Sequence, residues 1–213
     1  MKQLIIIGAR GFGREVYTMS CFCKGYGTEF VVKGFLDDDS NVLNGMGEYP
    51  PILGPVETYS FKEDDVFVVA LGNPQAREKY ANIALNNGGI PYTLIHNMVR
   101  ISPLSHIQIG KGCIIFGEAS ISTEVIIRDY SVILDFAILG HDVTVGQFCH
   151  VGCFSFCGGG VNIQDRVVLH PHSYIVPHRT VGKDAIVGAA SVVLRNVKPN
   201  TTVFGSPAKR VDY

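Results

Sequence analysis

The chain has 213 residues and a formal charge of −1, with 18 Lys plus Arg against 19 Asp plus Glu. Near-neutrality excludes a nucleic-acid scaffold, which carries a basic excess, and 46% apolar residues with only 17% charged exclude a disordered chain. The length admits one large domain or two small ones.

The opening residues, MKQLIIIGAR, hold too short an apolar run for a secretory signal and no cleavage pattern. Residues 4–8 (LIIIG) read as a short buried strand, followed by a glycine-rich turn (ARGFG, 9–13) and a helix-like stretch at 14–17. Residues 30–39 (FVVKGFLDDD) predict a second strand ending in acids, and residues 65–73 (DVFVVALGN) a third. A helix follows from about 74 to 87. Strands alternating with helices predict a small parallel, Rossmann-like α/β sheet over residues 1–97.

A glycine-rich turn from strand to helix offers backbone N–H groups and a helix dipole to a phosphate. The turn reads GxxGxG, and Arg10 stands where a dinucleotide fingerprint needs its second glycine. The pattern therefore predicts a smaller nucleotide rather than NAD. Asp37 and Asp38, at a strand end, can accept hydrogen bonds from a ribose or a base. Gly72, ending the third strand, is where a ligand crossing the sheet edge meets the backbone.

From Ile109 every sixth residue through Val193 is aliphatic, with Cys157 the one exception in fifteen. Four positions after each comes a small residue or Val, except at Arg179. A period of six fits neither a 3.6-residue helix nor a plain alternating strand. It fits a solenoid whose hexapeptides each form one flat side of a coil. Three sides close a coil of 18 residues, so fifteen units predict five coils and a prism roughly 24 Å tall. Glycine directly after the inward residue (Gly110, Gly140, Gly146, Gly152, Gly182, Gly188) is expected to relieve an unfavourable φ.

The same repeat accounts for residues 143–164, which carry no Asp, Glu, Lys or Arg and are long enough to span a bilayer; no membrane span is predicted. Six cysteines without a CxxC pair predict reduced thiols in the cytoplasm. Cys149, Cys153 and Cys157 are four apart, but two of them fall on inward positions, so no metal site is expected. No two histidines are five apart, unlike the three-histidine metal sites of γ-class carbonic anhydrases.

The hexapeptide period resembles that of the left-handed parallel β-helix acyltransferases, and GSPAKRV at 205–211 resembles their terminal G-x-P-A-K segment. With GARGFG, FLDD and ALGN ahead of the repeat, the whole chain resembles the NeuD/PglD-like sugar-nucleotide acetyltransferases, often labelled sialic-acid O-acetyltransferase-like. The resemblance implies a nucleotide-sugar-binding domain at 1–97 and an acetyltransferase β-helix at 98–213. It implies acetyl-CoA as co-substrate, a nucleotide sugar as acceptor, and a homotrimer with active sites between prisms. By it, Arg10, Gly11 and Phe12 line the phosphates, and Asp37, Asp38 and Gly72 complete the pocket. Some members carry His where Phe12 stands, so a polar contact is absent there.

Acetyl transfer from a thioester needs a base for the acceptor's proton and donors for the carbonyl oxygen. The resemblance makes His141 that base, Asp142 its acid neighbour and Gly159 the N–H donor. It sets His150 against acetyl-CoA, with Pro171 and Ala189 along the CoA arm. His150 lies nine residues, half a coil, beyond His141, so the two face different sides of one prism and meet only across neighbouring protomers. N-acetylation of an amino sugar, O-acetylation of a sugar hydroxyl, and a silent nucleotide-sugar-binding scaffold all remain open at this point.

Overall fold

The computed structural model describes residues 1–103 and 106–211. The chain divides into two compact units, Met1–Asn97 and Met98–Tyr213.

In the first unit, β1 (Lys2–Ile7), α1 (Gly11–Ser20), β2 (Phe30–Leu36), β3 (Asp65–Val69), α2 (Pro74–Asn86) and β4 (Ile90–Pro91) follow one another. The sheet is parallel with order β2-β1-β3-β4. Leu4, Ile5 and Ile6 are fully buried and all five residues of β3 are buried, as strands covered on both faces require. Helix α1 starts inside the glycine turn, because Gly13 lies so close to Gly8 that a Cβ there would overlap the Gly8 carbonyl. Gly8 itself has φ +96°, which L side chains rarely adopt. Helix α2 caps itself: the Asn73 side chain accepts the Ala76 N–H at 2.8 Å, and Pro74 fills the first turn. The chain leaves β1 toward β2 on one side and returns to β3 on the other, so strand order reverses beside β1. In open α/β sheets such a reversal opens a crevice at the carboxyl ends of the strands.

At the opposite ends of the strands, Asp65 is buried and holds an ion pair with Lys33 at 2.6 Å. Tyr59 Oη donates to the same carboxylate at 3.0 Å, and the Lys62 N–H donates at 2.9 Å. Desolvation pushes the Asp65 carboxyl up, but Lys33, the Lys62 amide and Tyr59 outweigh it and hold its pKa below the usual value.

The second unit is a parallel β-solenoid whose strands pair 18 residues apart, as in Val132 with His150 and Ile138 with Phe156. Its first side carries Ile114–Ile115, Val132–Ile133, His150–Val151, Val168–Leu169 and Ile186–Val187. The second carries Ser120–Ile121, Ile138–Leu139, Phe156–Cys157, Tyr174–Ile175 and Val192–Val193. The third carries Ile107–Ile109, Val125–Ile127, Thr144–Val145, Asn162–Ile163 and Thr180–Val181. The inward aliphatic set is buried except for half-buried Ile109, and the small set is buried except for half-buried Arg179. Cys157 lies in the column's centre, where burial, with Cys149 nearby, pushes its thiol up to about 12.

The structure has about six turns rather than five. The terminal strands escaped the period because they leave it: Ile101 pairs with Ile121, twenty residues on, and Val203 with Val187, sixteen back. The glycine expectation is also corrected. Gly110, Gly140, Gly146, Gly152, Gly182 and Gly188 do not have positive φ. They are small because the next coil leaves no room: a Cβ on Gly146 would lie 2.6 Å from Asp165 N, and one on Gly152 2.7 Å from Leu169 O. The left-handed conformation falls two residues later. Twelve non-glycine residues from Glu118 to Ala190 stand there with φ between +54° and +61°, and Gly112 and Gly160 fill the same place. These corners turn the coil into a left-handed β-helix.

Identical corners stack. Phe136, Phe154 and His172 lie over one another with rings within 4° of parallel, on the edge joining the first and second sides. Tyr130 and Phe148 stack likewise on the edge joining the third and first.

Candidate active site

At the carboxyl ends of β1, β2 and β3 lies a cavity of about 540 Å³, within the range of small-ligand pockets. Arg10, Phe12, Asp37, Asp38 and Gly72 line it, together with Gly8, Asp39, Val56, Leu71 and Tyr80. Gly11, the first residue of α1, is not among the lining residues. Arg10 is the N-cap of α1 and makes no side-chain cap hydrogen bond.

The two aspartates differ. Asp37 Oδ2 accepts the Ala9 N–H at 2.9 Å and Oδ1 the Asp39 N–H at 3.1 Å, so this carboxylate holds the glycine turn against the end of β2. Asp38 is exposed and accepts no hydrogen bond among the described residues, which leaves it for a ligand's donors. The cavity thus offers a ligand Arg10, a helix start and the free carboxylate of Asp38. Val56 and Tyr80 carried no signal in the sequence, since neither sits in a motif; they reach the cavity from a long connection and from the second turn of α2.

On the solenoid, the corner joining the second and third sides brings three sequence-predicted residues together. His141 Nδ1 lies 2.7 Å from Asp142 Oδ2, and both side chains are 61% exposed. Because Asp142 takes the left-handed corner position (φ +58°), its carboxylate turns back onto the preceding imidazole. The His141 ring rests over Gly159 of the next coil, where a Cβ would overlap it. Gly160 N–H donates to the His141 carbonyl at 2.9 Å, while the Gly159 N–H makes no hydrogen bond among the described residues. A proton on Nδ1, held by Asp142, leaves the Nε2 lone pair beside an uncommitted amide. An imidazole held in this way can take a proton at Nε2, and an uncommitted amide can hold a developing oxyanion.

The other three predicted residues lie elsewhere on the prism. His150 is half-buried on the first side, between Val132 and Val168 of adjacent coils. Pro171 and Ala189 stand one coil apart on the edge joining the first and second sides, where the Ala190 N–H donates to the Pro171 carbonyl at 3.0 Å. Sequence reasoning missed His178, whose ring fills the space over Gly160. Its signal was the 18-residue spacing that places it in line with Asp142 and Gly160. Among the described residues, no group of three His, Cys, Asp or Glu is placed to hold a metal, and no helix is long and apolar enough to cross a membrane.

Residues 3–84 match the PglD N-terminal domain family. The whole chain superposes on PerB from Caulobacter crescentus, solved with CoA and GDP-perosamine, with a TM-score of 0.87 and 27% identity, covering 100% of this chain and 98% of that one. Over its whole length the chain is thus similar to the NeuD/PglD-like hexapeptide-repeat proteins. A second NeuD/PglD-like structure, the acetyltransferase domain of PglB from Neisseria gonorrhoeae, matches at TM-score 0.79 and 25% identity over 99% of this chain and 100% of that one. Among curated relatives, the acyl-[acyl-carrier-protein]–UDP-N-acetylglucosamine O-acyltransferase of Pseudomonas aeruginosa is 28% identical over 93 residues, 44% of this chain. The chain spans about a third of the length of such relatives, the match covering 36% of theirs.

Proposed function

We propose that the protein is an acetyltransferase that moves the acetyl group of acetyl-CoA onto the amino group of a nucleotide-linked sugar by direct attack. The observation that carries this reading is the His141 imidazole, held by Asp142 through Nδ1 and seated over Gly159 beside its free N–H. In the reaction, the acceptor nitrogen bonds to the thioester carbon and the carbon–sulfur bond breaks. His141 Nε2 takes the amine's proton, Asp142 stabilises the resulting imidazolium, and the Gly159 N–H holds the carbonyl oxygen as charge grows on it. The proton on His141 then serves the departing CoA thiolate, and no acyl-enzyme forms.

The cavity of the first unit would hold the nucleotide. Its Arg10 end and the α1 start suit the diphosphate, and Asp38 suits a base or ribose that donates hydrogen bonds. PerB and its histidine-to-asparagine variant were solved with CoA and an amino-sugar nucleotide, GDP-perosamine, which favours N- over O-acetylation.

A homotrimer completes the site. The second side and its edge expose Phe136, Ile138, Phe154 and Tyr174, whereas the third side presents Thr144, Asn162 and Thr180. In such a trimer a neighbour's His150, Pro171 and Ala189 would line the CoA arm beside the His141 corner.

The test is thiol release from acetyl-CoA with amino-sugar nucleotides and, in parallel, with sugars offering only hydroxyls. His141→Ala is expected to lose about 10²–10⁴-fold in turnover while CoA still binds. Full activity in that variant removes the assigned base. Absence of thiol release from the wild type across the whole panel would instead favour a nucleotide-sugar-binding scaffold.

A further inference from the structure

Beneath the cavity of the first unit lies a buried cation that no motif singled out. Arg77, in the first turns of α2, is only 1% exposed. Side chains on a helix lean toward its N-terminus, and Arg77 uses that lean to reach back under the β3–α2 turn. Its Nη1 donates to the Leu71 carbonyl and, at 3.4 Å, to the Gly72 carbonyl. Both of those residues line the cavity.

A trans peptide is planar, with its N–H directed opposite to its C=O. Drawing the Leu71 and Gly72 carbonyls down onto Arg77 therefore turns the N–H groups of Gly72 and Asn73 the other way. Neither amide makes a hydrogen bond among the described residues. Asn73 caps α2 with its side chain and leaves its own N–H unused. Gly72 has room to spare: a Cβ there would meet nothing within 4 Å, so packing does not demand a glycine. A turn with two free amides, an open glycine and a guanidinium directly beneath suits an anion.

We infer that Arg77 is a positioning residue for the nucleotide: it fixes the Leu71–Gly72 turn so that the Gly72 and Asn73 amides face the diphosphate, and it adds buried positive charge below them. This rests on the nucleotide-sugar reading of the cavity. Arg77 touches no ligand itself.

The experiment is calorimetric titration of the full chain with UDP and GDP, with uridine and guanosine, and with CoA, accompanied by a melting curve for each variant. Arg77→Met is expected to weaken diphosphate binding about tenfold or more, with nucleoside and CoA affinities nearly unchanged. Arg77→Lys, which keeps the charge and loses the fork, is expected to fall between. A purely structural arginine would lower the melting temperature and leave the diphosphate-to-nucleoside ratio as it was, and that result overturns the inference. Should both arginine variants fail to fold, Gly72→Ala, which the turn accommodates, carries the test. Loss of diphosphate affinity there supports the amide cradle, and wild-type affinity overturns it. A wild type that binds neither diphosphate defeats the nucleotide reading together with this one, whereas a binding wild type with indifferent variants defeats this one alone.

Discussion

The solenoid and the amino-terminal unit place their functional groups by opposite means. On the solenoid, position follows from arithmetic: each residue stands over the one 18 before it, so His141, Gly159 and Pro177 share one column and Asp142, Gly160 and His178 the next. In the α/β unit nothing repeats, and the cavity is assembled from the ends of three strands, a helix start and a connection more than twenty residues long. Repetition fixes where a side chain stands, while irregular connections decide what surrounds it.

The largest expected effects test the proposed catalytic column. Gly159→Ala should cost about 10²-fold or more in turnover, comparable with the loss of a catalytic base, because the new methyl displaces the His141 ring. Circular dichroism should stay unchanged, and undiminished activity would separate the ring's seat from its chemistry.

Next comes the interior of the column. Leu169→Ala removes a fully buried inward side chain and should destabilise the solenoid by about 2–5 kcal/mol in urea unfolding. Ile121→Ala and Ile133→Ala should cost about the same, because the positions are equivalent by repeat. A wide spread among the three would break the claim of equivalence.

The amino-terminal unit yields a pH signature at Asp65. The Asp65 pKa is lowered in the fold, so the stability it contributes is complete above the unfolded carboxyl value of about 3.9 and is lost as pH falls through the lower folded value. Amides of β1 and β3 should lose hydrogen-exchange protection in acid. In Asp65→Asn that acid dependence should shrink, with lower stability at neutral pH. An unchanged acid profile would assign the sensitivity to another group.

The smallest effect sharpens the corner argument. Ala190 has φ +54°, a conformation costing an L residue roughly 1–2 kcal/mol, so Ala190→Gly should stabilise the protein by up to about 1 kcal/mol after glycine's own entropy cost. A destabilised variant would mean that the Ala190 methyl packs usefully.

The same contrast explains what the sequence disclosed. The inward register was legible because fifteen positions repeat one constraint, and the His141–Asp142 pair because the two are adjacent. The terminal coils were not, since Ile101 and Val203 pair at spacings of twenty and sixteen. The glycine turn and its acids pointed to the cavity at the strand ends. The separate duties of Asp37 and Asp38 depend on which backbone amides come near, and no spacing encodes that. Arg77 reads as one more polar residue on a helix until the fold shows that its side chain is sealed under the β3–α2 turn.

Cys149 and Cys157, sealed inside the column, give the molecule a built-in clock. A thiol probe would find them only while a rung is open. The speed of their labelling, set against that of half-exposed Cys153, would therefore time how often the prism breathes.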